Sequence, residues 1–109
     1  MSPADQPRVA VVLTTIGADT DAAALAQTLV EERLAACVNL VPGITSIYRW
    51  KDRIERDREQ QMTIKTSSDR LQALEWRLRQ LHPYELPEFI VLAVTGGSEA
   101  YLAWVRDSL

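Results

Sequence analysis

One cysteine, Cys37, and one histidine, His82, leave 109 residues with few of the usual soft metal ligands. A lone cysteine cannot close an intramolecular disulfide, so a disulfide scaffold, a CxxC redox site and a zinc finger are excluded. No run of about 18 apolar residues is present, which excludes a membrane-spanning helix. Residues 1–7 contain Asp5 and no basic cluster ahead of an apolar stretch, so they read as a flexible leader rather than a signal peptide, and the expected location is the cytoplasm. Basic residues are outnumbered, 12 against 15 acidic, giving a formal charge of −3. Nucleic acid and anionic membrane are therefore not expected as partners. Aromatics make up only 6% of the chain, yet include three tryptophans, Trp50, Trp76 and Trp104.

What is present fits one domain over residues 8–109. The run Arg8 to Thr15, closed by Gly17, is apolar and β-branched and reads as a central strand buried on both faces. Asp19, Thr20 and Asp21 offer capping oxygens to an amphipathic helix over Ala22 to Leu34. Cys37 to Trp50 alternates in strand fashion, with Val38, Leu40, Ile44, Tyr48 and Trp50 on one parity, and Pro42-Gly43 marks a bulge or bend. Lys51-Asp52 forms a hairpin turn into a third strand, Arg53 to Thr66, charged at its near end and apolar at Met62 and Ile64. Two such arms are each longer than about 40 Å, more than a small monomeric domain covers. Ser67, Ser68 and Asp69 are placed to cap a second helix, Arg70 to Leu81, with Leu71, Leu74, Leu78 and Leu81 on one stripe. Leu86 to Thr95 reads as a fourth strand. Ser98 caps a closing helix that turns Tyr101, Leu102, Val105 and Leu109 toward the body.

The order is βαβ twice, which predicts an α+β ferredoxin-like βαββαβ sandwich, with a long hairpin between the second and third strands and an extra C-terminal helix. Common occupations of that fold fail on residue type. There is no thiolate pair for monovalent copper, no stacking aromatic on the central strands for RNA, and no arginine or lysine in the loop from Thr14 to Asp21 to cradle an anion. No nucleophile and base are placed together, so an enzyme is not expected.

The run ERLAACVNLVPGITSIYRWKDRIERDREQQMTIKT, then HPYELPE, then YLAW, resembles the CutA family of divalent-cation tolerance proteins from about Val9 to the C-terminus. The resemblance implies a homotrimer of PII-like architecture in which long hairpins wrap neighbouring subunits, a cytoplasmic location, and a role in the response to metal ions with weak binding of Cu2+ or another divalent cation and no obligatory cofactor. Some CutA members bind copper through a cysteine at the end of the first strand and two consecutive histidines. Those places fall here at Thr14, Leu81 and His82, and a threonine oxygen and a leucine do not replace a thiolate and an imidazole. The second function considered is a PII-like signalling or scaffold trimer holding a small anion in its intersubunit clefts.

His82, just past a helix end, serves either as a metal ligand or as a cap on helix carbonyls. Cys37 is either a small buried hydrophobe or a member of an interfacial pocket with Glu59, Lys65, Tyr84, Glu85 and Glu88. In that pocket Lys65 and Tyr84 would hold an anion, or the carboxylates a hard cation. The plainer reading gives Lys65 a carboxylate partner at a subunit contact. Trp50, with Tyr48 and Ile47, is expected to pack against another subunit.

Overall fold

A computed structural model describes residues 6–109, so residues 1–5 of the expected leader lie outside the described residues. The chain runs β1 (Val9–Gly17), α1 (Ala22–Glu31), β2 (Cys37–Trp50), β3 (Arg53–Ser67), α2 (Leu71–Leu81), β4 (Ile90–Ala93) and α3 (Glu99–Asp107). The sheet is antiparallel, in the order β2-β3-β1-β4 expected of a ferredoxin-like sandwich. β1 pairs with β3 from Val9↔Ser67 to Gly17↔Glu59, which sets Val12 beside Ile64 and Thr14 beside Met62. These even-numbered positions, with Ile16, face α1 and α2. Together with Leu25, Leu29, Leu74 and Leu78 they form the core.

β1 is central but not buried on both faces. Its side chains alternate between buried and half-buried toward Gly17, because α3 covers only part of the second face, where it contacts β1 and β3. By register Val11 and Leu13 share that face with Leu92 and Ile90 of β4, which are 45% and 48% exposed.

The bulge at Pro42-Gly43 is present: Val41 faces Gln61 and Ile44 faces Glu59, with Gly43 at φ +72°. One extra residue reverses the alternation. Val38 and Leu40 point to the helices, whereas Ile44, Tyr48 and Trp50, of the same parity in sequence, point to the opposite face. The hairpin closes through Lys51 and Asp52, at φ 49° and 65°, the left-handed pair a tight two-residue turn requires. The long arms stretch the molecule to 50 × 25 × 23 Å.

Both main helices are shorter or differently capped than the pattern predicts. The Asp21 carboxylate caps α1 by accepting from Ala24 N–H. The helix stops at Glu31, three residues early, because Arg33 turns left-handed at φ 60°. Leu34 N–H then donates to Leu29 O and Arg33 N–H to Val30 O, a Schellman closure that folds Leu34 onto the core. Ahead of α2, Ser67, Ser68 and Asp69 do not cap. Ser67 donates to the Asp69 carboxylate, Ser68 Oγ accepts from Arg8 N–H, and a 3-10 turn over Ser68–Arg70 leads into the helix.

β4 covers four residues of the ten expected; Leu86 to Phe89 are not strand. Pro87 has no N–H for a ladder, and β1 pairs with β4 only from Ala10 to Leu13. Ser98 caps α3 as expected, accepting from Tyr101 N–H, and Val105 is fully buried beneath it. Tyr101, expected against the body, stays 42% exposed, and Trp76 lies on the outer side of α2 at 66%.

The Thr14 hydroxyl is fully buried and has no hydrogen-bond partner. A buried unpaired hydroxyl costs on the order of 1 kcal/mol, and valine has the same shape without it. Thr14→Val is expected to raise unfolding stability by about 1 kcal/mol in urea at fixed protein concentration; an unchanged or lower midpoint would contradict the orphaned hydroxyl.

Candidate functional site

β1 ends at Gly17 while β3 continues six residues from its pairing partner Glu59 back toward the hairpin turn, so the sheet steps from three strands to two. A cleft of about 1290 Å³ occupies that step. Its walls are the loop Gly17–Thr20, the hairpin around Tyr48 and Asp57–Glu59, and the segment Tyr84–Ile90 that runs from α2 into β4.

His82 positions that last segment. Its Nε2–H donates to Thr15 O at 2.7 Å, and its Nδ1 accepts from Tyr84 N–H at 3.1 Å. The carbonyl can only accept and the amide can only donate, so the partners fix the Nε2–H tautomer. The ring is buried and stacks edge-on with Tyr84, centroids 4.6 Å apart. Tyr84 then crosses the end of β1 and donates its hydroxyl to Glu59 Oε2 at 2.6 Å. A Cβ on Gly17 would sit 3.6 Å from that hydroxyl, so the small residue ending β1 leaves the phenol ordinary contact room. On the floor, Gln60 donates its amide to Gly17 O and Thr20 O, tying the first loop to β3.

The cleft is acidic. Asp19, Asp57, Glu59, Glu85 and Glu88 border it against the one guanidinium of Arg58. Burial, then the charge of Glu59, pushes the Glu88 carboxyl above its ordinary range. Burial and the bond to Glu59 push the Tyr84 phenol up, and the Tyr48 phenol, which donates to Asp57, is pushed up to about 12. Both tyrosines act as donors that hold carboxylates in place.

The candidate residues divide into two places. Glu59, Tyr84, Glu85 and Glu88 meet in the cleft, joined by Tyr48, Ile47 and Trp50. Cys37 and Lys65 face each other across β2 and β3 at the other end of the hairpin. Lys65 has no carboxylate partner among the described residues; its ammonium lies 5.6 Å over the Tyr101 ring, which α3 brings there. Trp50 is half-buried, with Lys51 at 5.6 Å over its ring. Asp57 and Gln60 were missed as site residues, and Tyr48 was expected at a subunit contact rather than as a partner of Asp57. Their strand positions opposite Glu55, Ser46 and the bulge were the available signal.

The copper places do not form a copper site. Thr14 is sealed among core side chains, Leu81 brings no donor atom, and both ring nitrogens of His82 are already hydrogen-bonded. Among the described residues no group of three or more His, Cys, Asp or Glu side chains is arranged to hold a metal ion.

Residues 10–108 match the model of the CutA1 divalent ion tolerance protein family. The chain belongs to that family. A CutA divalent-cation tolerance protein of Thermus thermophilus is 45% identical over 98 residues, covering 90% of this chain and 95% of the relative. Human CutA is 54% identical over 83 residues, 76% of this chain and 46% of the human protein. A solved structure of a divalent cation tolerance protein (Cut A1) from Thermus thermophilus superposes with a TM-score of 0.88 at 44% identity, over 92% of this chain and 97% of that one. A PII-like CutA from Nostoc gives 0.84 at 36%, over 91% and 95%. The CutA1 fold is thus PII-like, and among the described residues no helix is long and apolar enough to cross a membrane.

A phenol whose folded pKa is raised holds its stabilising proton below the unfolded value and loses it as pH climbs through the folded value. Unfolding free energy is therefore expected to fall with pH from about 10 to about 12. Tyr48→Phe and Tyr84→Phe should each flatten part of that decline and remove a late component from the 295 nm phenolate titration. A decline equally steep in both variants would refute the roles given to these hydroxyls.

Proposed function

We propose that the protein acts in divalent-cation tolerance as a cytoplasmic, non-enzymatic homotrimer of PII-like form, with weak direct affinity for Cu2+ or other divalent cations. The observation that carries this reading is the apolar sheet face one chain leaves uncovered. Ile90, Leu92 and Val41, each close to half exposed, lie on it beside Val11 and Leu13. The outer edges of β2 and β4 are open as well. Such a face and such edges call for further copies of the chain, which close them by symmetry. Trp50, Tyr48 and Ile47 are the hairpin contacts assigned to that assembly.

The weak metal affinity follows from the donor set. His82 is the best single ligand, yet it reaches a metal only by giving up Thr15 O or Tyr84 N–H. What is left is carboxylate, which suits hard cations and holds them loosely without a preformed cage. The phenols of the cleft are raised and bound to carboxylates, so neither is a ready nucleophile, in keeping with a non-enzymatic role. The signalling or scaffold alternative puts an anion in the same cleft, where among the described residues Arg58 is the cation that lines it.

Sedimentation equilibrium is expected to give three times the 12.3 kDa chain mass; a monomer at every concentration would sink the assembly. Calorimetric titration with Cu2+ should give heats close to dilution for wild type and His82→Ala alike. Tight stoichiometric binding that disappears in His82→Ala would instead restore a copper site.

A further inference from the structure

The cleft at the step in the sheet holds negative charge that the described residues do not balance. Glu59 is only 5% exposed, yet it lines that cleft. Tyr84 donates to its Oε2; among the described residues no hydrogen bond reaches its Oε1 and no cation pairs with it. A carboxylate buried to that extent without a counter-charge is costly, and a second one nearby makes it costlier. Glu88 lines the same cleft, and burial followed by the charge of Glu59 pushes its carboxyl up. A buried, half-satisfied acceptor facing a cavity is a place for a donor that arrives from outside.

Spacing and wall chemistry decide which cation fits. Asp57 and Glu59 are two residues apart on β3 and so share a face, with Cα atoms about 7 Å apart. A hard metal ion gathers its oxygens at about 2.3–2.6 Å, and among the described residues no group of three or more His, Cys, Asp or Glu side chains is arranged to do so. Amino groups strung along a flexible chain need no such convergence, because each ammonium meets its own carboxylate. The walls suit the chain between them. Leu86 is 69% exposed beside Pro87 and Phe89, and Tyr84, 37% exposed, adds an aromatic ring that attracts cations. A cleft of about 1290 Å³ has room for a molecule rather than a bare ion.

We propose that the cleft binds a linear polyamine, with one ammonium between Glu59 and Glu88, a second toward Asp57, and the methylene chain against Leu86, Pro87 and the Tyr84 ring. The first ammonium donates to Glu59 Oε1 and leaves Tyr84 on Oε2, so the tie from the HPYE turn to β3 is kept. Such a ligand accounts for two features that a metal ion or an anion leaves unexplained: carboxylates spread along the wall instead of converging, and apolar surface beside them. A polyamine is a different occupant from the divalent cation and the anion considered above, and every wall it uses belongs to one chain.

The probe is spermidine, titrated calorimetrically into the full chain at physiological salt, and saturable binding of one molecule per chain is expected. Glu59→Gln, which keeps an oxygen for Tyr84, and Glu88→Gln should each weaken binding by about tenfold or more. Glu31→Gln, the same loss of charge on α1 outside the cleft, should stay within about twofold of wild type. Heats no larger than dilution would overturn the proposal. An affinity that changes equally in all three variants, or in none, would overturn it as well, because it marks general attraction to an acidic chain. Ca2+ that binds as tightly as spermidine and displaces it would show a hard-cation site instead. Should circular dichroism show Glu59→Gln unfolded, Glu88→Gln decides. Sedimentation of the same samples keeps the readings apart: a trimer that ignores spermidine sinks the polyamine site alone, and a monomer that binds it sinks the assembly alone.

Discussion

A β-strand turns successive side chains to opposite faces, and β3 sustains that alternation through fifteen residues. Where helices cover the sheet, the constraint sends Met62, Ile64 and Thr66 into the core and leaves Gln61, Thr63 and Lys65 on the far side. Where the helices stop, the same alternation continues with nothing to bury. It then sorts charge instead, Arg56 and Arg58 to one face and Glu55 and Asp57, with Arg53, to the other. The core and the ribbon are thus one rule applied to two stretches of sequence.

The cleft exists because β1 obeys a shorter limit than β3. Gly17 ends the pairing at Glu59, and the resulting step is bordered by whatever chain passes nearby. His82 decides which chain that is: its two hydrogen bonds hold the HPYE turn across the end of β1, and Tyr84 reaches Glu59 from there. An imidazole used in this way is a structural tie first. Its position in a family ligand motif does not by itself leave a lone pair for a metal.

The parts of this fold legible in sequence were those set by neighbours along the chain. The alternating runs gave β2 and β3 to within a residue, Asp21 and Ser98 were recognisable caps, and Pro42-Gly43 announced the bulge. The bulge's effect on orientation was not followed through, so Ile44, Tyr48 and Trp50 were grouped with Val38 and Leu40 although one inserted residue separates their faces. What stayed hidden depends on contacts across the chain. Lys65 meets Tyr101 rather than a carboxylate because α3 docks there, and Arg33 accepts a left-handed turn because Leu34 gains a place on the core. β4 is short because β1 offers it only four partners. The cleft group was half legible: Glu59, Glu85, Glu88 and Tyr84 were named, but Cys37 and Lys65 belong elsewhere, Tyr48 was expected only at a subunit contact, and Asp57 and Gln60 are strand residues whose role appears only once the step in the sheet is known.

The two-residue turn at Lys51-Asp52 also orders events in time. β2 and β3 are joined by the shortest possible link and zip from it, whereas β1 must find β3 across a separation that reaches 58 residues at Val9↔Ser67. Local closure is fast and distant pairing slow, so the hairpin is expected to form before the strand that anchors it. Neither Lys51 nor Asp52 is a glycine, and both must enter left-handed backbone to start the zipper. A newly made chain therefore carries a long ribbon with two unpaired edges before it has a core, and the interval until β1 pairs with β3 is when this protein is most exposed to sticking to the wrong strand.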